Sequence, residues 1–238
     1  EAEKLSYDNT YFGVLMLKAG DVDGLVSGAC HSTANTLRPG LQIVKAAPGV
    51  PLVSSYFLMI APECGNPYCE DGAYIYSDCG LNENPTSEQL AEIALISAKT
   101  AKQIAGLDPR VAMLSFSTKG SAKHADIDKV TAALAIAKEK APDLAIDGEL
   151  QLDAAIVPAV AKSKAPGSKV AGHANVLIFP DLDAGNIGYK LTERLGGFMA
   201  VGPLCQGFAK PINDLSRGCK AEDIVAAVAI TALQTQLQ

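Results

Sequence analysis

Apolar and polar residues follow two different spacings along this chain. Short runs rich in apolar and β-branched residues predict strands, and longer runs with apolar residues three and four positions apart predict helices. Because short buried strands that alternate with helices are typical of a mostly parallel sheet, we predict the α/β class. The predicted strands are residues 52–60, 73–76, 110–116, 175–179 and 200–204, and the predicted helices are approximately residues 87–105, 127–140, 154–161, 187–195 and 220–237.

In parallel α/β sheets, ligands bind at the carboxyl ends of strands, in the loops that lead into helices. The first such loop covers residues 23–39. Its Gly28 allows a tight turn, and Ser32 and Thr33 supply hydroxyls and backbone amides at a helix start, where an anion is stabilised. Arg38, one to two turns further on, either faces the same ligand or is a surface arginine on an ordinarily capped helix.

Two loops in the middle of the chain give weaker indications. Residues 115–124 have the composition of a phosphate-binding loop but lack the glycine spacing of a P-loop, so we interpret them as a solvated turn. In residues 181–190, Gly185 and Gly188 are predicted to bracket a strand-to-helix turn. Their spacing differs from the G-x-G-x-x-G fingerprint of dinucleotide-binding proteins, which argues against a nicotinamide-dependent enzyme.

The fourth loop reads Asp-Leu-Ser-Arg-Gly-Cys-Lys-Ala-Glu-Asp, residues 214–223. An apolar helical pattern begins at Lys220, so Asp223 lies in the first turn, near the positive end of the helix dipole. Ser216 and Arg217 precede this helix on the loop. The stretch is therefore a candidate catalytic loop, and Cys219 is a candidate nucleophile because thiols at helix starts are reactive.

Composition and charge narrow the class of protein. Hydrophobic residues make up 48% of the 238 residues and charged residues 19%, which is typical of a globular protein. The formal net charge of -6 argues against a nucleic-acid partner. The longest apolar runs, such as residues 224–230, are far shorter than the ~20 residues of a membrane span, so no membrane partner is expected.

The six cysteines are few for a chain of this length, and we interpret them as thiols of a reducing cytoplasm. The tightest group is Cys64, Cys69 and Cys79, whose spacing without a nearby histidine is poor for zinc. We therefore expect no metal site. The polar N-terminus shows no signal peptide, and the lack of an initiator methionine is expected of a truncated or processed chain.

Four longer stretches are specific enough to indicate a family. They are SGACHSTANTLRP (27–39), DGELQLDAA (147–155), ANVLIFPDLDAGNIGYK (174–190) and GFAKPINDLSRGC (207–219). In order and nearly from end to end, they resemble the phosphate acetyl/butyryltransferase family. The resemblance implies reversible acyl transfer, in which acetyl-CoA and phosphate give acetyl phosphate and CoA. Coenzyme A is then a substrate, and no cofactor is expected.

The same resemblance implies two three-layer α/β/α domains with the active site in the cleft between them, a fold related to isocitrate dehydrogenase. Residues 1–50 and 205–238 are then expected in a first domain, and residues 51–204 in an inserted second domain. The family's chains extend upstream of residue 1, so the first domain is expected to be incomplete and to lack basic CoA-binding residues. A homodimer is also implied.

The resemblance assigns roles to individual residues as well. Asp223 matches the base that takes the proton from the CoA thiol, and Ser216 matches the hydroxyl that orients or stabilises the reacting group. Lys220 departs from the family pattern, in which serine is common at this position and would cap the helix. Substrate binding is expected from Arg217 and Arg38 at the phosphate or the developing charge, from Ser32 and Thr33 beside them, and from Arg194 at the CoA nucleotide phosphate.

The proton transfer from the CoA thiol to an aspartate is energetically unfavourable. A free aspartic acid has a pKa of about 3.9 and a thiol of about 8.5, so moving the proton from the thiol to a carboxylate is uphill by roughly 6 kcal/mol. Closure of the cleft or a cation such as Arg217 would reduce the gap. We predict direct transfer in a ternary complex without an acyl-enzyme. We interpret Cys219 as a loop-packing residue because the substrate supplies its own thiol.

Two alternatives stay open at this point. A phosphate butyryltransferase would differ in the shape of its acyl pocket. A non-catalytic acetyl-CoA-sensing domain would bind the ligand without turnover, and the combination of Ser216, Arg217 and Asp223 argues against it.

Overall fold

A computed structural model describes residues 2–237 and divides the chain into two compact units. Unit 1 comprises Glu1–Ser55 and Val201–Gln238, and unit 2 comprises Tyr56–Ala200. The outermost residues of the predicted first domain, Glu1 and Gln238, lie outside the described residues.

Helices and strands alternate along most of the chain, which confirms the α/β class. The strands are β1 (Leu25–Ser27), β2 (Ser54–Ile60), β3 (Ala73–Ser77), β4 (Val111–Leu114), β5 (Ile146–Leu150), β6 (Val176–Ile178), β7 (Met199–Gln206) and β8 (Ile212–Asp214). The α-helices are α1 (Ala2–Ser6), α2 (Asn9–Ala19), α3 (Thr33–Pro39), α4 (Ser87–Gln103), α5 (Ala125–Lys140), α6 (Leu152–Ile156), α7 (Pro158–Lys164), α8 (Leu182–Arg194) and α9 (Ala221–Thr235), and a π-helix (Gly40–Val44) directly follows α3.

The larger sheet has the strand order β5-β4-β6-β3-β2-β7. Strand β4 pairs in parallel with β5 and with β6, and β6 pairs in parallel with β3. Strand β2 runs antiparallel to β3, which the sequence pattern did not predict. β2 and β7 contain the residues at which the chain passes from one unit into the other.

The core of unit 2 lies between its strands and the helices that pack on them. Helix α4 contacts β3, β4 and β6, α5 contacts β4 and β5, and α8 contacts β3. An aromatic stack, with ring centroids 3.9 Å apart, joins Phe57 of β2 to Tyr189 of α8. Among the described residues, no helix combines the length and the apolar content that crossing a membrane requires.

Helix α8 begins earlier than predicted, directly after Asp181. The Asp181 side chain caps the helix by accepting a hydrogen bond of 2.9 Å from the Ala184 N–H. Gly185 and Gly188 therefore lie inside the helix, and the prediction that they bracket a turn is wrong. A Cβ on Gly185 would lie 2.3 Å from the carbonyl oxygen of Asp78, so glycine is present here because the helix packs closely on the loop that follows β3.

Strand β5 is buried at all five positions, although it carries two acidic residues, Asp147 and Glu149. Asp147 accepts hydrogen bonds of 2.5 Å from Lys119 Nζ and from Ser168 Oγ. Burial by itself would raise the pKa of Asp147, but these bonds and one from the Gly148 N–H hold it below its ordinary value. The sequence indicated only a short segment, residues 144–146, at the start of this strand, because its acids find hydrogen-bond partners that are distant in sequence.

Most of residues 115–124 are exposed, as expected of a solvated turn, but Ser117 and Thr118 are buried. The Glu149 carboxylate accepts hydrogen bonds from Ser117 Oγ (2.9 Å) and from the Gly120 N–H (2.7 Å). The loop therefore binds a carboxylate of its own protein with the kind of hydroxyl and amide donors that bind phosphate elsewhere.

In unit 1, β1 and β8 form a two-stranded parallel sheet. Helix α9 packs against both strands, and α3 packs against β8. A Cβ on Gly24 would lie 2.6 Å from Cγ2 of Thr231 in α9. Glycine at this position thus lets the helix approach the chain just before β1.

Candidate active site

Two loops of unit 1 begin side by side because β1 and β8 pair in parallel. Ser27 lies opposite Asp214, and the Leu215 N–H donates a hydrogen bond of 2.7 Å to the Ser27 carbonyl. Residues 28–32 lead from β1 into α3, and residues 215–220 lead from β8 into α9. Both loops therefore lie at the carboxyl ends of parallel strands, the position at which α/β proteins bind ligands.

The first loop turns at Gly28 and ends at the cap of α3. Gly28 has a φ of +121°, and a Cβ there would lie 2.0 Å from Oδ1 of Asp214. Ser32 Oγ accepts a hydrogen bond of 3.3 Å from the Asn35 N–H and so caps the helix. The Ser32 hydroxyl hydrogen is not used by this cap, and Thr33 occupies the next position, at the start of α3.

The second loop is a tight turn organised around Ser216. Its Oγ accepts a hydrogen bond of 3.2 Å from the Gly218 N–H, and its carbonyl accepts one of 3.0 Å from the Cys219 N–H. Ser216 and Arg217 are both exposed. Because Ser216 Oγ acts as an acceptor within the turn, its hydroxyl hydrogen remains available for a ligand.

Asp223 starts α9, and its carboxylate takes part in the helix end. Its Oδ2 accepts a hydrogen bond of 2.8 Å from the Lys220 N–H, while Oδ1 has no hydrogen-bond partner among residues 2–237. The Lys220 side chain makes no capping bond, as expected where serine is replaced by lysine. The half-buried Asp223 therefore combines a structural role at the helix start with one free carboxylate oxygen.

Asp214 is a feature of this site that the sequence reasoning missed. The residue is 1% exposed, and within the described part of the chain neither carboxylate oxygen has a hydrogen-bond partner of standard geometry. Burial raises the pKa of the Asp214 carboxyl, although the nearby hydroxyls of Thr33 and Thr36, the Leu215 N–H and the charge of Arg217 partly offset the effect. The sequence contained no signal for this burial, because β8 reads Ile-Asn-Asp and three residues are too few to show an apolar pattern.

A buried amide network holds α9 against β8 behind the second loop. Asn213 Nδ2 donates hydrogen bonds of 2.7 Å to Thr231 Oγ1 and to Gln234 Oε1, and Asn213 Oδ1 accepts one of 2.7 Å from the Cys205 N–H. Gln234 Nε2 in turn donates a hydrogen bond of 3.0 Å to the Cys205 carbonyl. These bonds connect the helix that begins near Asp223 with the strand that ends at Asp214.

Two of the predicted arginines are not joined to these loops by any described contact. Arg38 is exposed in the last turn of α3, about 140° around the helix axis from Thr33. Arg194 belongs to unit 2, where it ends α8, and its Nε lies 3.5 Å from Oε2 of the neighbouring Glu193. Ser32, Thr33, Ser216, Arg217 and Asp223 thus lie on the two loops or at the helix starts they lead into.

No disulfide joins any of the six cysteines in the part of the chain that the structure describes. Cys219 is half-buried in the second loop, while Cys69 and Cys79 are buried in unit 2. Burial raises the pKa of Cys69 to about 11 and that of Cys79 well above its ordinary value. Residues 2–237 contain no group of three or more histidine, cysteine or acidic side chains arranged to hold a metal ion.

Comparison with known proteins gives a consistent result over nearly the whole chain. A family model described as "Phosphate acetyl/butaryl transferase" matches residues 1–232. The chain is 62% identical, over 229 residues, to the phosphate acetyltransferase of Acetivibrio thermocellus, which corresponds to 96% of this chain and 68% of that protein. It is 59% identical, over 236 residues, to the phosphate acetyltransferase of Clostridium acetobutylicum, or 99% of this chain and 70% of that protein.

A solved structure agrees with these sequence matches. The crystal structure of a phosphotransacetylase from Streptococcus pyogenes superposes with a TM-score of 0.93 at 53% sequence identity. The match covers 100% of this chain and 70% of that chain.

Proposed function

Because the chain belongs to the phosphate acetyl/butyryl transferase family, we propose that it transfers an acetyl group reversibly between coenzyme A and inorganic phosphate. Acetyl phosphate and coenzyme A are thus the substrates in one direction, and acetyl-CoA and phosphate in the other. The observation that carries the proposal is the high identity to phosphate acetyltransferases, which extends over both loops of unit 1.

In the proposed reaction, Asp223 takes the proton of the CoA thiol through its free oxygen. The thiolate sulfur then attacks the carbonyl carbon of acetyl phosphate, a C–S bond forms, and the C–O bond to phosphate breaks. Phosphate leaves with the bonding electron pair. The sulfur comes from the substrate, so no acyl-enzyme forms, and Cys219 takes no part.

The remaining site residues bind or stabilise negative charge on the substrates. Ser216 donates its free hydroxyl hydrogen to the reacting acetyl phosphate, and Arg217 beside it stabilises the negative charge that develops. A guanidinium also suits phosphate, because its planar donors match two oxygens at once. We assign the phosphate group to Arg217 and Arg38, with Ser32 and Thr33 beside them, and the CoA nucleotide phosphate to Arg194.

The proton transfer from the CoA thiol to Asp223 requires stabilisation by other groups of the site. Between free groups it is uphill by roughly 6 kcal/mol. Arg217, one residue from Ser216, would lower the cost by stabilising the thiolate and the charge of the leaving phosphate. This role explains why the loop carries an exposed arginine next to the hydroxyl.

We also propose the arrangement implied by the family resemblance. Residues 1–50 with 205–238, and residues 51–204, form two three-layer α/β/α domains of the isocitrate-dehydrogenase type, which the division into two compact units supports. Cysteines without disulfides, as found among the described residues, support a cytoplasmic location. The proposal includes a homodimer, no cofactor, no metal, and no nucleic-acid or membrane partner.

The function is tested by an assay of the full-length protein with acetyl phosphate or butyryl phosphate and CoA. We expect loss of free thiol with acetyl phosphate, and slower loss with butyryl phosphate. Faster loss with butyryl phosphate would identify a butyryltransferase. Binding of acetyl-CoA without turnover would identify a sensing domain, and both results would contradict the proposal.

Variants of the second loop test the assigned roles. Asp223→Asn keeps an acceptor for the Lys220 N–H but removes the base, so we expect kcat to fall by at least about 100-fold with little change in Tm. Cys219→Ser is the matched control and should retain most of the activity. A stable acetyl group on Cys219 or Ser216 after incubation with acetyl-CoA, detected by mass spectrometry, would contradict direct transfer.

A further inference from the structure

Asp214 is a buried carboxylate to which the proposed reaction gives no part. It lies at the last position of β8, 1% exposed, and neither oxygen has a hydrogen-bond partner of standard geometry among residues 2–237. Around it are Thr33 and Thr36 of α3, Gly28 of the first loop, and Arg217 of the second loop. Asp214 is therefore in contact with both loops of the candidate active site.

Such a position is unfavourable for stability. A buried carboxylate whose neighbouring donors lie outside standard hydrogen-bond geometry loses its hydration and recovers only part of that loss. Residues that destabilise a fold are commonly retained where they serve function. An asparagine would fill nearly the same volume without the charge, so the acid itself needs an explanation.

The first loop packs closely against the Asp214 carboxylate. A Cβ at position 28 would lie 2.0 Å from Asp214 Oδ1 and 2.7 Å from the Leu215 nitrogen. Glycine is thus required for the carboxylate to occupy its place against the turn. The contact joins residue 28, four positions before the Ser32 cap, to residue 214, three positions before Arg217.

We propose that Asp214 is a positioning residue for phosphate binding. Its negative charge draws the Arg217 guanidinium toward the start of α3, and its oxygens orient the Thr33 hydroxyl, so that both donors point to one phosphate group. Asp214 does not touch the substrate and takes no proton from it. This inference rests on the proposed function, because the phosphate is the one transferred or released in that reaction.

The test measures affinity and stability together in the full-length protein. Asp214→Asn should raise the Kd for inorganic phosphate, measured by calorimetry, and the KM for phosphate by at least about tenfold. The KM for CoA in the reverse direction should change by less than about twofold, because no contact with CoA is assigned to this group. The Tm should stay the same or rise, because an unpaired buried charge is removed.

Asp8→Ala is the matched control in the same unit. Asp8 caps α2 by accepting hydrogen bonds from the N–H groups of Thr10 (2.9 Å) and Tyr11 (3.1 Å). Its loss should lower the Tm and leave phosphate affinity unchanged. A purely structural residue at position 214 would behave as Asp8 does, with a lower Tm and an unchanged phosphate Kd, and that result would overturn the inference.

A double-mutant cycle with Arg217 separates positioning from an independent effect. On an Arg217→Ala background, Asp214→Asn should raise the phosphate Kd by a clearly smaller factor than in the native protein, because one of the two groups through which it acts is gone. Additive effects would overturn the inference. If Asp214→Asn does not fold, Thr33→Val takes its place in the cycle: non-additivity with Arg217→Ala again supports the shared phosphate site, and additivity overturns it.

The two proposals can fail separately. If the native protein binds phosphate but does not transfer acetyl groups, the proposed function is wrong, and the phosphate Kd values of the variants still decide the role of Asp214. If the native protein transfers acetyl groups and Asp214→Asn leaves the phosphate Kd unchanged, the function stands and the positioning role is wrong.

Discussion

At the scale of single residues, the degree of burial distinguishes the two carboxylates at the ends of the candidate catalytic loop. Asp223 is half-buried, with one oxygen on the Lys220 N–H and the other free. Asp214 is fully buried, and burial raises its pKa. The sequence places them nine positions apart on one loop and cannot distinguish their surroundings. We therefore assign them different tasks: Asp223 meets the substrate, and Asp214 arranges the groups that do.

Gly28 offers a test of the fit between the first loop and Asp214. Gly28→Ala should lower stability by more than the ~1–2 kcal/mol expected for a Cβ at positive φ alone, because the Cβ would also collide with Asp214. Gly49→Ala is the control: its φ is +78° and nothing lies within 4 Å of the added Cβ. Denaturant unfolding measures both, and equal losses would contradict the close contact.

At the scale of elements, several of the differences from the predicted pattern involve charged or small residues with distant partners. The acids of β5 are buried because Lys119, Ser117 and Ser168 reach them from other segments. Helix α8 contains Gly185 where an uninterrupted helix would favour a larger residue, because the helix approaches the carbonyl of Asp78. In both elements, a partner from another segment overrides the local pattern.

The two buried acids predict opposite responses to pH. The pKa of Asp147 is lowered on folding, so its stabilisation is present above the unfolded-state pKa of about 3.9 and is lost as the pH falls through the lower folded-state pKa. Asp147→Asn should therefore lower the Tm more at about pH 7 than at about pH 3. The pKa of Asp214 is raised on folding, so its effect on stability is the opposite. Its contribution to stability is present below about pH 3.9 and is lost as the pH rises through the higher folded-state pKa.

The Tm of Asp214→Asn, relative to the native chain, should consequently increase between about pH 4 and pH 7. Thermal melts of the native chain and both variants between about pH 3 and pH 7 measure the trends. Parallel changes in the two variants would contradict the assigned shifts.

The amide network behind the second loop gives a prediction at the same scale. Gln234→Ala removes partners of Asn213 Nδ2 and of the Cys205 carbonyl, so we expect a loss of about 1–3 kcal/mol in the free energy of unfolding. Gln236→Ala, at an exposed position close by on the chain, should change it by less than about 0.5 kcal/mol. Urea unfolding of the two variants compares them directly, and similar values would contradict the network.

At the scale of the whole molecule, the chain passes through one unit, enters the second and returns. Unit 1 contains both the N-terminal and the C-terminal parts of the described chain. Its two loops come from segments nearly 190 positions apart in sequence, joined by the pairing of β1 with β8 (residues 25–27 with 212–214). The candidate site thus depends on the pairing of distant strands.

The proposed homodimer is a prediction at this scale. Multi-angle light scattering of the full-length protein should give twice the mass of one chain over a broad range of concentrations. A mass of one chain under assay conditions, with full activity, would contradict a functional dimer.

Much of the architecture follows from the sequence because it depends on local spacing. The segments that became α4, α5, β3 and β6 were predicted within a few residues of their ends, since apolar periodicity reports which face of each element is buried. Strands β1 and β8 were not predicted: each has three residues, too few to show a period, and each pairs with a segment far away in the sequence. The sequence likewise predicted most residues of the candidate site, because the majority of them lie in long stretches that are specific enough to indicate a family.

The sequence by itself determined the α/β class, the family and the two loops that carry hydroxyl, guanidinium and carboxylate groups. These properties depend on the identity and spacing of neighbouring residues, and both can be read directly from the amino-acid sequence. Only the tertiary structure decided that Glu149 occupies the donors of residues 115–124, that Gly185 lies inside a helix, and that Asp214 is buried between the two loops. Burial and electrostatic partnership depend on segments far apart in the chain, and they take effect only once those segments have packed together.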